Sequence, residues 1–480
     1  MLARLSSKRI LLGFVLSFYY LLMGHKLLRL GKHGDGIEYA CVARNMAEGW
    51  GSFWKPYLSD TVHPVFHEHP PLVFWIQSIG FRLFGDGVYF EAFYGLIIGL
   101  TILLCTALLW KRVRRDFQLA PVGSWWPMLL VAILPLFTYF LQTNRLVITF
   151  TILALLAVYF SYLSAVAKKY SVLYSVLSGL WIYLGFIAKG PVACFTFAVP
   201  IIVWLAFRTG FLRAVIRTLI AVITFAFFLL ATFYLFPDSL KFWKGFWQAQ
   251  VVLSLTSQRA AGDTHWYLVE RWILEMIVPV ITVGVMMVVA RVPLRQIRFN
   301  RQALFFFLIA LVGSLPFLIS ARQHARYILH SFPFYVLSLA FLADNVALHL
   351  ENVLANKRKI HATVAVATML VFVVGMTTMF YKKDYIARKR PFYEDFFLQD
   401  IKMPQRILVS VCPEEMIHGD WLFADMQRFY KVSLTGQMGN DYYIIDKHST
   451  CRIPEGYQRV HRQPTVKYVL YRKSSLQDPQ

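Results

Sequence analysis

The stretch Leu146–Val166, LVITFTILALLAVYFSYLSAV, decides the fold class. It contains no charged residue and is as long as a helix must be to cross a hydrocarbon core about 30 Å thick, which takes about 20 residues. Runs of the same kind recur on both sides of it, at roughly 10–30, 91–110, 122–141, 171–187, 192–207, 214–236, 266–290, 303–319, 327–348 and 361–380. About eleven transmembrane helices are therefore expected, the first of them uncleaved because no small-residue cleavage site follows it. The whole-chain composition agrees: of 480 residues 58% are hydrophobic and only 16% charged. Soluble globular chains carry about 25% charged residues and disordered chains are less hydrophobic, so both classes are excluded.

The formal charge of +23, from 49 Lys and Arg against 26 Asp and Glu, would suggest nucleic acid if the cations were clustered in one domain. They sit instead in the short links between apolar runs: Arg4, Lys8 and Arg9; Lys111 to Arg115; Lys168 and Lys169; Arg208, Arg213 and Arg217; Arg291, Arg295, Arg298 and Arg301; Lys357 to Lys359. Short basic links accumulate on the cytoplasmic side of a bilayer. An odd number of spans then puts the amino terminus inside and the carboxyl terminus outside an inner (plasma) membrane, with no nucleic-acid partner.

Three segments fall on the outer side and exceed simple turns: 31–90, 237–265 and 381–480. Residues 1–380 are expected to form the membrane domain, and 381–480 a small soluble α/β domain. The latter has strand-like 406–413, a helical 414–430, and further strand-like segments at 431–434, 441–446 and 466–472. Its two thiols, Cys412 and Cys451, either pair or stay free. No CxxC or metal-finger spacing occurs among the five cysteines.

In the first outer segment, Asp35 and Glu38 open GDGIEYACVARNMAEGW. Its pattern predicts an amphipathic helix lying along the membrane surface, with Ile37, Ala40, Cys41 and Ala47 on one side and Arg44 and Glu48 on the other. Asp35 and Glu38 read equally as a helix cap with its capping box and as outer-face acids available for chemistry. Downstream, His67-Glu68-His69 precedes Pro70-Pro71, which force an extended entry and then allow a helix to start. Adjacent residues cannot all face one ion, so at most one or two of these three could ligate a metal, with Asp263 or His265 completing it. Ala188-Lys189-Gly190-Pro191 and the segment Ser320 to Tyr327, SARQHARY, both put cations on the outer side, against the general bias. Each has a bland reading as a snorkelling or headgroup contact, and a functional one as partner of an anion.

Taken in order, the acid after the first span, Pro-Pro before the second, Lys-Gly-Pro after the fifth and Arg-Tyr entering a late span carry a resemblance. The chain resembles the GT-C superfamily of integral-membrane glycosyltransferases, glycosyltransferase 39 type, which includes protein O-mannosyltransferases and the lipid A aminoarabinose transferase. The likeness covers roughly residues 10–348. It implies transfer of a sugar, with inversion, from a polyprenyl-phosphate donor to a lipid, glycan or protein acceptor on the outer face. It also implies Asp35 as the catalytic acid residue, His69, Lys189, Arg322 and Arg326 near the donor phosphate, and Glu38 and Arg259 in support. Glu68 and His265 match positions that hold a zinc-like divalent ion in the aminoarabinose branch; no other cofactor is implied. Relatives carry an acid, or an Asn and Glu pair, in the second outer turn, where this chain has Thr143, Asn144 and Arg145. The competing readings are a transporter or flippase of lipid-linked sugars, for which Asp344 and His330 are the notable mid-span groups, and a surface-glycan ligase or polymerase.

Overall fold

The structure, a computed structural model, describes residues 6–31, 34–252, 266–297, 299–318, 323–386, 390–461 and 463–476. Its helices are α1 (Ser7–Gly24), α2 (Gly34–Ala47), α3 (Leu72–Phe84), α4 (Phe90–Asp116), α5 (Trp125–Ala132), α6 (Pro135–Gln142), α7 (Leu146–Val166), α8 (Ser171–Lys189) and α9 (Val199–Phe207). They continue as α10 (Phe211–Leu235), α11 (Pro237–Phe246), α12 (Tyr267–Ala290), α13 (Arg301–Leu318), α14 (Phe332–Leu342), α15 (Asp344–Asn356), α16 (Arg358–Tyr381) and α17 (Leu422–Tyr430). Among the described residues eight helices, α1, α4, α7, α8, α10, α12, α13 and α16, are long and apolar enough to cross a membrane. Two bent pairs raise this to ten among the described residues if each is one span, against the eleven or so expected. The run at 192–207 is not one long α-helix: it is a 3-10 turn, Pro191–Ala198, followed by the short α9, each with a proline in its first turn.

The bent pairs have local causes. Between α5 and α6 the chain turns by 72° just before Pro135, whose ring cannot continue a helix. The freed N–H groups of Leu136 and Phe137 donate to the carboxylate of Glu275 on α12, at 2.9 and 3.2 Å. Glu275 is only 2% exposed, so this buried acid serves as the cap of α6. The second pair, Leu329–Leu342 with α15, bends by 65°, and Asp344 at the bend accepts from Arg114 of α4 at 2.9 Å. His330 lies between the rings of Phe150 and Phe195. Helix α7 is the most enclosed span, with 78% of it buried, whereas α10 and α16 are 11% buried and present large apolar side chains outward. In water that surface would aggregate; against lipid tails it is matched.

The chain forms two compact units, one of Met1–Leu27, Glu68–Val73 and Gly95–Tyr381, the other of Leu28–His67, Phe74–Tyr94 and Lys382–Gln480. The second holds a short hairpin, β1 (Gly51–Ser52) with β2 (Lys55–Pro56), and a five-stranded sheet. The sheet strands are β3 (Leu408–Cys412), β4 (Ser433–Thr435), β5 (Tyr442–Asp446), β6 (Tyr457–Arg459) and β7 (Tyr468–Lys473), ordered β4-β3-β5-β7-β6. β3 runs parallel to β4 and β5, and β7 antiparallel to β5 and β6. Cys412 and Cys451 form a disulfide. The expected helix over 414–430 is broken: two 3-10 turns and the left-handed Asp420 and Trp421 precede α17.

Helix α2 departs most from its expected role. It is buried on nearly every side, not laid along a membrane surface, because α17 packs on it. Arg44, expected on the polar face, is 1% exposed and donates to the Gln427 carbonyl at 2.7 Å and to Asp86 at 3.2 Å. Arg428 donates to Glu91 at 2.7 Å, to the Gly87 carbonyl at 3.0 Å and to Asp86, while Lys431 reaches Glu48 at 2.6 Å. Three cations meet three acids, so the buried charge is balanced. At the start of α2, Gly34 lies flat on the Trp421 indole, where an added Cβ would come within 2.2 Å of the ring.

Removing one member of such a buried set leaves the others uncompensated. Arg428→Ala is expected to cost about 3–5 kcal/mol, read as earlier unfolding of the second unit in denaturant and faster proteolysis of 382–476; unchanged melting would contradict the clamp. His461, 7% exposed, has its imidazole pushed down to about 4 by burial foremost, with Arg459 adding to the effect and Asp395 opposing it. The unfolded chain therefore takes up this proton below its ordinary 6.5 while the folded one does not, so the stability is whole above that pH and is lost as pH falls toward 4. The loss amounts to about 3 kcal/mol. His461→Gln should flatten this slope in melting curves between those pH values.

Candidate active site

Within the first unit, Lys189 closes α8 and is followed by Gly190 at φ 80° and ψ −153°, a conformation essentially confined to glycine. Pro191 then opens the 3-10 turn, so the Lys-Gly-Pro sequence ends one helix sharply and leaves Lys189 in its last turn, where carbonyl ends favour a cation. Lys189 is within electrostatic reach of Arg326 and Arg145. Arg326 sits in the 3-10 turn Ala325–Tyr327, with its guanidinium 5.9 Å from the Tyr327 ring centroid. Arg145 is 6% exposed and enters α7 directly after Asn144, which turns the chain at φ 51°. Three cations from three distant segments thus raise the local positive potential in a water-poor setting, which is the electrostatic form of an anion site.

Arg145 was the residue that sequence reasoning used only to mark a missing acid. The argument applied to Lys189, a cation on the outer side against the bias, holds equally for Arg145 and would have found it. Of the other expected phosphate ligands, His69 lies partly buried just before Pro70-Pro71 and α3. Arg322 falls outside the described residues, as do Arg259 and His265.

Glu68 is partly buried and its Oε2 accepts from the Gln250 amide at 2.5 Å, Gln250 belonging to the π-helical turn Trp247–Val252. Among the described residues no group of three or more His, Cys, Asp or Glu is placed to hold a metal ion.

Within the second unit, Asp35 lies half-buried in the first turn of α2, where the unpaired N–H groups of a helix start favour an anion. Glu38, one turn on, is 8% exposed. The neighbouring Cys41 thiol is pushed up by burial and donates to the Ala424 carbonyl at 3.3 Å, so it serves packing between α2 and α17. His67, further along the first outer segment, has its imidazole pushed down by burial and by the charge of His63. The arrangement offers a half-exposed carboxylate on a rigidly held helix start in one unit and a cationic cluster in the other.

Residues 68–235 match a family model described as dolichyl-phosphate-mannose-protein mannosyltransferase. No curated protein matches the chain in sequence. Among solved structures, the crystal structure of ArnT from Cupriavidus metallidurans bound to undecaprenyl phosphate superposes with a TM-score of 0.59 at 16% identity, covering 98% of this chain and 99% of that one. The same protein in the apo state gives 0.57 at 15% identity, covering 96% and 97%. Span pattern and whole-chain architecture agree with these matches, and the chain is a polytopic membrane protein with the fold of the GT-C membrane glycosyltransferases.

Proposed function

We propose that the protein is an inverting glycosyltransferase that moves a sugar from a polyprenyl-phosphate donor to a lipid, glycan or protein acceptor on the outer face of the inner membrane. The observation that carries this reading is the convergence of Lys189, Arg145 and Arg326 within a fold of the GT-C type. A polyprenyl phosphate is a good leaving group and needs no acid to protonate it. It needs cations to take up the charge that develops as the bond from the anomeric carbon to phosphate oxygen breaks. Lys189, Arg145 and Arg326 suit that role, and His69 and Arg322 are assigned to it as well. The new bond forms from the acceptor oxygen to the opposite face of the same carbon, which inverts its configuration.

The acceptor hydroxyl proton must leave as that bond forms, and Asp35 is the group assigned to receive it. One principal carboxylate is enough for this chemistry, unlike glycoside hydrolysis, where a second must protonate a poor alkoxide leaving group. Thr143-Asn144-Arg145 in place of a second acid therefore fits transfer from phosphate, and Arg145 adds a cation for the departing charge. Glu38 and Arg259 are assigned supporting roles. Of the mid-span groups named for the transporter reading, Asp344 pairs with Arg114 and His330 packs against phenylalanine rings, which supports transfer over transport.

Asp35→Asn is expected to lower transfer in proteoliposomes by at least a factor of about 10²–10⁴ while leaving retention of polyprenyl phosphate intact; full turnover in that variant would remove the assignment. Replacing Lys189 or Arg145 by Met should reduce kcat by about 10²–10³ and weaken donor-phosphate retention as well. Normal donor retention and kcat in both variants would dissociate the cluster from the leaving group.

A further inference from the structure

At the opposite end of α12 from the turn that carries Arg326 lie two cavities of contrasting character. The first, of about 850 Å³, is walled by apolar side chains of α1, α5, α12, α15 and α16, among them Phe14, Leu129, Val285, Val289 and Ile360. The second, of about 520 Å³, is polar and is lined by Arg295, Gln296, Asn345, His349 and Asn352. His349 lines both, so the polar and apolar spaces adjoin. Arg291 and Lys357 also line the apolar one.

The charge balance here is one-sided. Three cations and a histidine line the pair of cavities, and among the described residues lining them there is no carboxylate. The nearest acids in sequence are on α15, and both are engaged elsewhere. Asp344 is held by Arg114, and Glu351 accepts from the Trp125 indole and the Gly123 N–H, each at 2.7 Å, with Lys8 at 3.7 Å. The apolar cavity is also open to the lipid side: Val285 and Val289 are 57% and 70% exposed on a membrane-spanning helix.

From these juxtaposed cavities we infer a binding site for one anionic phospholipid of the bilayer, its phosphate between Arg291, Arg295 and Lys357 and an acyl chain in the cleft between α1, α12 and α16. A soluble anion would have no use for the apolar half, and a zwitterionic lipid would leave the cations without a net counter-charge. Basic pockets between membrane helices take acidic headgroups in this way, and the surplus of Arg and Lys in these links is the pattern of a cytoplasmic face, where acidic lipids concentrate. The site is separate from the cluster around Lys189. Helix α12 alone, 24 residues long, spans about 36 Å between the Arg291 end and the end where the Leu268 N–H meets Gln323.

The test uses the full-length protein, delipidated in detergent and titrated with phosphatidylglycerol, phosphatidylcholine or undecaprenyl phosphate while retained lipid is read by native mass spectrometry. Phosphatidylglycerol should be retained at a concentration lower by about tenfold than phosphatidylcholine. Arg291→Gln with Arg295→Gln should bring the two together. Ile360→Trp, which fills the apolar half and leaves every cation in place, should weaken phosphatidylglycerol retention in a protein whose melting is unchanged, which guards against a folding defect in the charge variant. Equal retention of the two phospholipids, undiminished phosphatidylglycerol retention in folded variants, or preferential displacement by undecaprenyl phosphate would each overturn the inference.

Discussion

Hydrocarbon offers no water to a stranded polar group, and the membrane part of this protein is organised around that constraint. Each ionisable side chain placed among the spans has to answer to another group of the chain. Glu275 answers to the N–H groups freed at Pro135, and Asp344 to Arg114. Arg145 and Arg326 both come within electrostatic reach of Lys189. Like charges brought together in a poorly screened setting repel one another, and an anion seated among them would relieve that repulsion.

The second unit shows the complementary principle. There the buried charges are matched, Arg44, Arg428 and Lys431 against Asp86, Glu91 and Glu48, and the match joins segments far apart in the chain. Breaking such a set costs far more than the set contributes over an apolar equivalent, so its value lies in specifying one arrangement. What it specifies here is the seat of α2, and with it the start of the helix that bears Asp35. A carboxylate with the proton-accepting role proposed for Asp35 is better served by a helix held in such a set than by one floating at a lipid surface.

Much of this was legible in the sequence, and where legibility ended has physical reasons. Uniformly apolar runs such as Leu146–Val166 announce themselves. The run at 122–141 was read as one span because apolar content masks the effect of Pro135, and the one at 192–207 because it masks Pro200. The strands at 408–412, 442–446 and 468–473 were visible from alternation and β-branched content, whereas β6, three residues long, was not. The burial of α2 was invisible because a face carrying Arg44 and Glu48 reads as solvent-facing unless its partner is known, and that partner lies hundreds of residues away. Lys189 and Arg326 stood out by their position against the charge bias and were assigned to the donor phosphate through the family resemblance, whereas Arg145 served only to mark the missing second acid.

The clamp on α2 has a consequence for biogenesis. Arg44 and the Arg428 carbonyl it reaches are separated by 384 residues. At a synthesis rate of about 5–20 residues per second, helix α2 leaves the ribosome on the order of 20–80 s before α17 exists to receive it. Throughout that interval its arginine has neither Gln427 nor Arg428 to bond, so the seat of Asp35 is completed only when translation has nearly ended. A truncated product released before α17 is made carries the Asp35 helix without the clamp that holds it.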